Sequence, residues 1–167
     1  SFFRTLYYLP SVSSGVAVSI LWVWLLNSEY GLINYFLRLI GIEGPSWLSD
    51  PRYVIPAFVL MSLWGVGGSM IIYLAGLQSI PTEYYEAAEV DGAGIIQRFW
   101  HITLPLVSPV VFFNLVTSLI GALQIFTQGF IMTGGGPHNA SLFFVLYLYR
   151  NAFQLLKMGY ASALAWV

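Results

Sequence analysis

The chain has 167 residues and a formal net charge of −1, with 8% of residues charged and 58% hydrophobic. Soluble domains carry about 25% charged residues, so this chain is not built for water on every side, and its neutral balance gives no electrostatic case for nucleic acid. It has no cysteine, which excludes disulfides, thiolate metal sites and a cysteine nucleophile.

Three stretches hold no Asp, Glu, Lys or Arg: 5–28, 53–82 and 99–149. A spanning helix needs about 20 mostly apolar residues, so the composition predicts an all-α, polytopic membrane helix bundle. Helices are expected over a barrel because runs such as VAVSILWVWLL are continuous rather than alternating.

A first span is expected over 6–26, with Tyr7, Tyr8, Trp22 and Trp24 suited to aromatic belts. Residues 29–52 form a polar connection with turn formers Gly31, Gly41, Gly44, Pro45 and Pro51. Within it, GLINYFLRLIGI predicts a short helix on the membrane surface. A second span is expected over 54–76. Gly65, Gly68 and Ser69 are spaced to let helices approach closely in lipid. Gly65-Val66-Gly67 lacks the third glycine and the strand of a nucleotide loop. A loop follows at 79–105, then a third span over 106–132, with Pro105 and Pro109 near its start, where missing amide donors cost least. Thr133-Gly-Gly-Gly-Pro137 breaks the helix and has no Lys-Ser/Thr to make it a phosphate loop. Another short helix is expected over 141–156. From residue 158 an apolar run starts a fourth span that the chain does not complete. Both ends fall in or beside apolar sequence, which predicts a fragment of a longer permease-like chain, read as a single transmembrane domain over 1–167.

The loop 79–105 is the anomaly. It holds Glu83, Glu86, Glu89, Asp91 and Arg98, five of the thirteen charged residues, in 27 positions. Thr82 is expected to cap a helix, with Glu83 and Glu86 complementing its dipole. Ala87 and Ala88 keep one surface shallow, and Gly92-Ala93-Gly94 ends the helix. A second short helix is expected over 95–103, carrying Arg98, Phe99, Trp100 and His101. The product is a helix–bend–helix whose small residues let a partner close tightly on it.

Glu86-Ala87-Ala88, three residues, Gly92, nine residues, then Ile102-x-Leu104-Pro105 resembles the EAA loop of ABC importer permeases. Asp91-Gly92-Ala93, Thr133-Gly-Gly-Gly-Pro137, RTLYYLPSV and MGYASALAWV are similar to the carbohydrate-uptake branch, in particular the first permease of maltose, lactose and glycerol-phosphate systems. The resemblance covers essentially the whole chain. It implies a type I ABC importer permease in a bacterial or archaeal plasma (inner) membrane, present here as about three full spans and the start of a fourth. It implies that the chain forms half of a carbohydrate path. It implies that Glu86, Ala87, Ala88, Gly92, Ile102, Leu104 and Pro105 belong to a cytoplasmic loop coupling the spans to an ATPase. The implied partners are a second homologous permease, an ABC ATPase dimer and an extracytoplasmic sugar-binding protein. No cofactor is expected on this chain, ATP being bound by the partner, and the chain is not expected to be an enzyme.

Other readings stand beside this one. Glu86, Glu89 and Asp91 lack a fourth ligand for a metal, and His101 falls on a different helix. No Ser-His-Asp set converges. In the third span Asn114, Thr117, Ser118, Gln124 and Gln128 suit a neutral polyol, each able to donate and accept. They suit interhelical hydrogen bonds equally well. A passive channel or secondary transporter for small polar solutes is the alternative, although the spans hold no ionisable coupling group. With the loop inside, Arg4 and Arg98 lie in the cytoplasm and Arg38, Arg52, Arg150 and Lys157 outside. That runs against the positive-inside bias; the motif takes precedence, because orientation is often set by a first span that a fragment can lack.

Overall fold

The computed structural model describes residues 2–166; the outermost positions of the single-domain reading, Ser1 and Val167, lie outside the described residues. Regular structure is helical, with no strand among the described residues. Two compact units form, Ser1–Ser11 with Val66–Ile120, and Val12–Gly65 with Gly121–Val167.

The first unit contains α1 (Phe2–Tyr8), α5 (Gly67–Gln78), α6 (Thr82–Val90), α7 (Ile95–Arg98), a π-helical turn Phe99–Thr103 and most of α8 (Leu104–Leu123). Glycines set how closely its helices approach. A Cβ on Gly67 would run into the Tyr7 carbonyl on α1, and one on Gly76 would lie 2.9 Å from Val110 Cγ2 on α8. In lipid such backbone proximity replaces the hydrophobic effect as the source of packing. The expected trio Gly65, Gly68 and Ser69 is not where this happens. Gly65 lies in the link 64–66 between two helices, where an added Cβ would lie 3.6 Å from the Ser62 carbonyl, and one on Gly68 would lie an ordinary 3.9 Å from Ser11 Cβ. The three-and-four spacing assumed one continuous helix, and the break shifts the register.

The second unit contains α2 (Gly15–Leu25), α3 (Leu32–Leu39), α4 (Pro51–Leu63), α9 (Thr127–Met132), α10 (Phe144–Tyr149), a π-helical turn Arg150–Gln154 and α11 (Met158–Leu164). Its core is Trp22, Leu26, Val54, Ala57, Phe58, Met61 and Met132. The α4 members recur at i, i+3, i+4 and i+7, one stripe of the helix, and Phe58 meets Phe143 edge-on at 5.0 Å. Asp50 caps α4 by accepting from the Arg52 amide at 2.9 Å, with Pro51 in the first position, the placement that wastes no donor.

Two polar knots hold the connections of this unit. Asn34, 1% exposed, donates from Nδ2 to the carbonyls of Ser28 and Pro45 and accepts at Oδ1 from Trp47 Nε1 at 2.7 Å. In the glycine loop, Arg150 donates to the Gly134 carbonyl and to Asn139 Oδ1, while the Thr133 and Ser141 hydroxyls pair at 2.6 Å.

The helical stretch Ile95–Met132, 38 residues, is the one run among the described residues long and apolar enough to cross a membrane by itself; α4 and α5 pass the same test only as a broken pair. Phe112, Phe113, Leu115 and Leu119 on α8 are exposed. An apolar surface of that extent needs lipid or other chains to cover it. Of the expected spans, 6–26 falls on α1, the 3₁₀ turn Leu9–Val12 and α2, 54–76 on α4 and α5, and 106–132 on α8 and α9.

Candidate functional site

The loop 79–105 folds as two helices joined at a glycine. Pro81, with φ −60° and ψ 135°, occupies the N-cap position of α6, and Thr82, expected as the cap, is the first helical residue. The ring fixes φ at a value that the cap position accepts, and with ψ extended at Pro81 the helix starts at Thr82. Glu83 sits in the first turn, where the helix dipole favours an anion.

The end of α6 explains Gly92. Its φ is +76°, its amide donates to the Glu89 carbonyl at 3.0 Å, and the Ala93 amide reaches back to the Ala88 carbonyl at 2.9 Å. These two bonds make a Schellman cap, which needs a residue in the left-handed region. Nothing lies within 4 Å of a Cβ placed there, so conformation rather than space requires the glycine within this chain.

Side chains then tie the second helix back onto the first. Gln97 Oε1 accepts from the Gly94 amide at 3.0 Å, one half of a capping box. Tyr85 Oη lies 2.8 Å from Thr103 Oγ1. Arg98 Nη1 meets Glu89 Oε2 at 3.1 Å, the side chains being 21% and 71% exposed. Arg98 Nε is buried and has no hydrogen-bond partner among the described residues. With Glu89 71% exposed, the ion pair contributes about 0.2–1 kcal/mol. His101 Nδ1 lies 3.0 Å from the Gln97 carbonyl.

Glu86 and Ala87 are exposed on α6, and Ala88 is half-buried toward the turn. Ile102 is half-buried in the π-helical turn, and Leu104 and Pro105 open α8 as exposed residues. Between the helices lies a cleft of 470 Å³ whose lining includes Ala88, Asp91, Gly92, Arg98, His101 and Ile102. The outer apolar surface is bare, with Val90 88% and Ile95 80% exposed. An exposed apolar face with no cover from its own unit marks an interaction surface. No group of three or more His, Asp and Glu is placed to hold a metal among the described residues.

The polar residues expected along a path divide. Asn114, 4% exposed, donates to the Val110 carbonyl at 2.9 Å, and Thr117 Oγ1 donates to the carbonyls of Phe113 and Asn114. Both are spent on their own helix, a back-bonding pattern common to such side chains. Ser118 is exposed on α8. Gln124 falls just past the end of α8, and Gln128 is half-buried on α9. The break at 124–126 means a single helical wheel does not carry Asn114 through to Gln128.

The Glu89–Arg98 and Tyr85–Thr103 links were not predicted. Their partners are nine and eighteen residues apart, beyond the i+3 and i+4 rules. Only Gln97, three after Gly94, carried a local capping signal.

The family model described as "Binding-protein-dependent transport system inner membrane component" matches residues 1–166. A probable ABC transporter permease, YesP of Bacillus subtilis, is 46% identical over 99% of this chain and 54% of its own length. The lactose transport system permease LacF of Rhizobium radiobacter is 39% identical over 99% and 57%. The sulfoquinovosyl glycerol permease SmoG of Agrobacterium fabrum is 42% identical over 87% and 48%. A bacterial alginate ABC transporter crystallised with its pentasaccharide-bound periplasmic protein superposes with a TM-score of 0.86 at 30% identity, over 98% of this chain and 58% of the other. The chain spans about half the length of the curated relatives it matches.

Proposed function

Because this chain belongs to the family of inner membrane components of binding-protein-dependent transport systems, a family of transport components with the type I ABC importer permease fold, we propose that it lines half of the translocation path of an ATP-driven carbohydrate importer and takes its drive through α6. The carbohydrate class is supported by relatives that carry lactose, sulfoquinovosyl glycerol and arabinooligosaccharides by name. The partners are a second homologous permease, a cytoplasmic ABC ATPase dimer and an extracytoplasmic sugar-binding protein. ATP sits on the ATPase, and this chain needs no cofactor of its own. The whole protein crosses a bacterial or archaeal plasma membrane several times, with the 79–105 loop inside.

The observation that carries the reading is α6 itself. It is a Schellman-capped helix, braced from behind by α7, with Glu86 and Ala87 exposed and no covering element in its unit. Ala87 and Ala88 admit a close partner backbone, and Glu86 offers a charge to orient it. Gly92 fixes where α6 ends. Ile102, Leu104 and Pro105 continue the chain into α8, so a displacement of α6 is delivered to an apolar helix. Alternating access follows when nucleotide-driven closure of the ATPases moves two such helices together.

For the substrate path, Ser118, Gln124 and Gln128 supply the polar groups not spent on the helix backbone. Asn114 and Thr117 shape the helix they bond to. Each amide or hydroxyl both donates and accepts, the chemistry a neutral polyol needs.

The test is Glu86→Lys in the assembled transporter, reconstituted with internal MgATP and supplied with a panel of labelled neutral oligosaccharides. Uptake should fall at least tenfold while the permease stays in the membrane and ATP hydrolysis continues. Wild-type uptake in this variant would remove α6 as the coupling element. Uptake that proceeds without ATP would favour the passive-channel alternative.

A further inference from the structure

Resting on the reading of 79–105 as the coupling element, we infer that the Glu89–Arg98 pair is a strut that holds α6 at a fixed angle to α7, and that Arg98 is a positioning residue for coupling. Gly92 makes the need. A residue with φ +76° and open space on every side of its Cβ position ends α6 cleanly but does nothing to stop the chain from swinging there. The residues that bridge the swing are few. The Tyr85–Thr103 bond ties the N-terminal part of α6 to the π-helical turn, and Glu89–Arg98 ties its C-terminal part to α7.

The pair is placed to act as a strut: it spans the Gly92 joint from the last turn of α6 to the end of α7 at 3.1 Å, with the Arg98 side chain four-fifths covered and Glu89 open to water. The titratable groups around the guanidinium are Glu89, paired with it directly, and Asp91 and His101, which line the same cleft from the end of α6 and the π-helical turn. Without the strut, force applied to α6 bends the Gly92 joint before it reaches α8.

The experiment uses the full-length permease. This chain has no cysteine, so Tyr84→Cys on α6 and Ile96→Cys on α7, both exposed, take spin labels once any cysteine elsewhere in the protein is replaced. The distance distribution between them should be narrow. It should broaden about twofold in Arg98→Gln and narrow again in the exchanged pair Glu89→Arg/Arg98→Glu. Raising salt should broaden the parent and leave Arg98→Gln unchanged, since the Glu89 end of the pair is open to ions from solvent. In the assembled transporter, Arg98→Gln should lower solute moved per ATP hydrolysed about two- to fivefold, with Arg98→Lys partly restoring it. An Arg98→Gln distribution as narrow as the parent's, or an exchanged pair that stays broad, overturns the strut. If Ala87→Cys fails to crosslink to the ATPase while the distance results hold as described, the coupling reading falls and takes the positioning role with it.

Discussion

Gly92 joins the motif to a physical requirement. A non-glycine L-residue in the left-handed region costs roughly 1–2 kcal/mol, and asparagine pays less of it. Since nothing crowds a Cβ at this position, Gly92→Ala should destabilise the α6 cap by about 1 kcal/mol through backbone strain alone, with Gly92→Asn closer to wild type. Amide hydrogen exchange over residues 91–93 reads this directly: about fivefold faster in the alanine variant, and less than twofold in the asparagine one. Equal exchange in the two would show that φ is not what the position selects. The glycine, its place after Glu86-Ala87-Ala88 and its role as helix stop were all legible in the sequence, because a C-cap glycine is a local signal. The Arg98 placement was not. Its partner Glu89 is nine residues back, and no helix periodicity connects positions on either side of a left-handed joint.

At the scale of elements, the loops are as built as the helices. Asn34 satisfies two carbonyls and an indole N–H from inside the 29–52 connection, and a Cβ on Gly44 would strike its amide. Asn34→Leu keeps the approximate volume and strands all three partners. With each buried unsatisfied group costing about 1–3 kcal/mol, the full-length protein should lose on the order of 3 kcal/mol, read as a drop of several degrees in thermal unfolding in detergent. No change would mean the knot is ornamental. The sequence predicted a short surface helix here, and α3 occupies that stretch. The polar knot beneath it was not legible, since Asn34 meets Pro45 and Trp47 eleven and thirteen residues away. The spacing of Gly65, Gly68 and Ser69 presupposes one continuous helix, whereas α4 ends at Leu63 and α5 begins at Gly67, and the close approaches fall at Gly67 and Gly76.

For the molecule as a whole, the apolar runs foretold an all-helical membrane protein, and the family match bears that class out. Charge scarcity and run length are global properties that survive any local break, which explains why class was readable while helix ends were not. The breaks at 64–66 and 124–126 carry no proline, so no breaker of that kind marks them in the sequence. The central claim concerns α6, whose Ala87 is exposed and whose outer face has no cover in its own unit. In the assembled transporter, with any other cysteine removed, Ala87→Cys should form a disulfide with single cysteines placed around the ATPase surface at one or two adjacent positions, with a yield that changes on adding MgATP. No crosslink at any ATPase position, with permease and ATPase both present in the purified complex, would contradict the account.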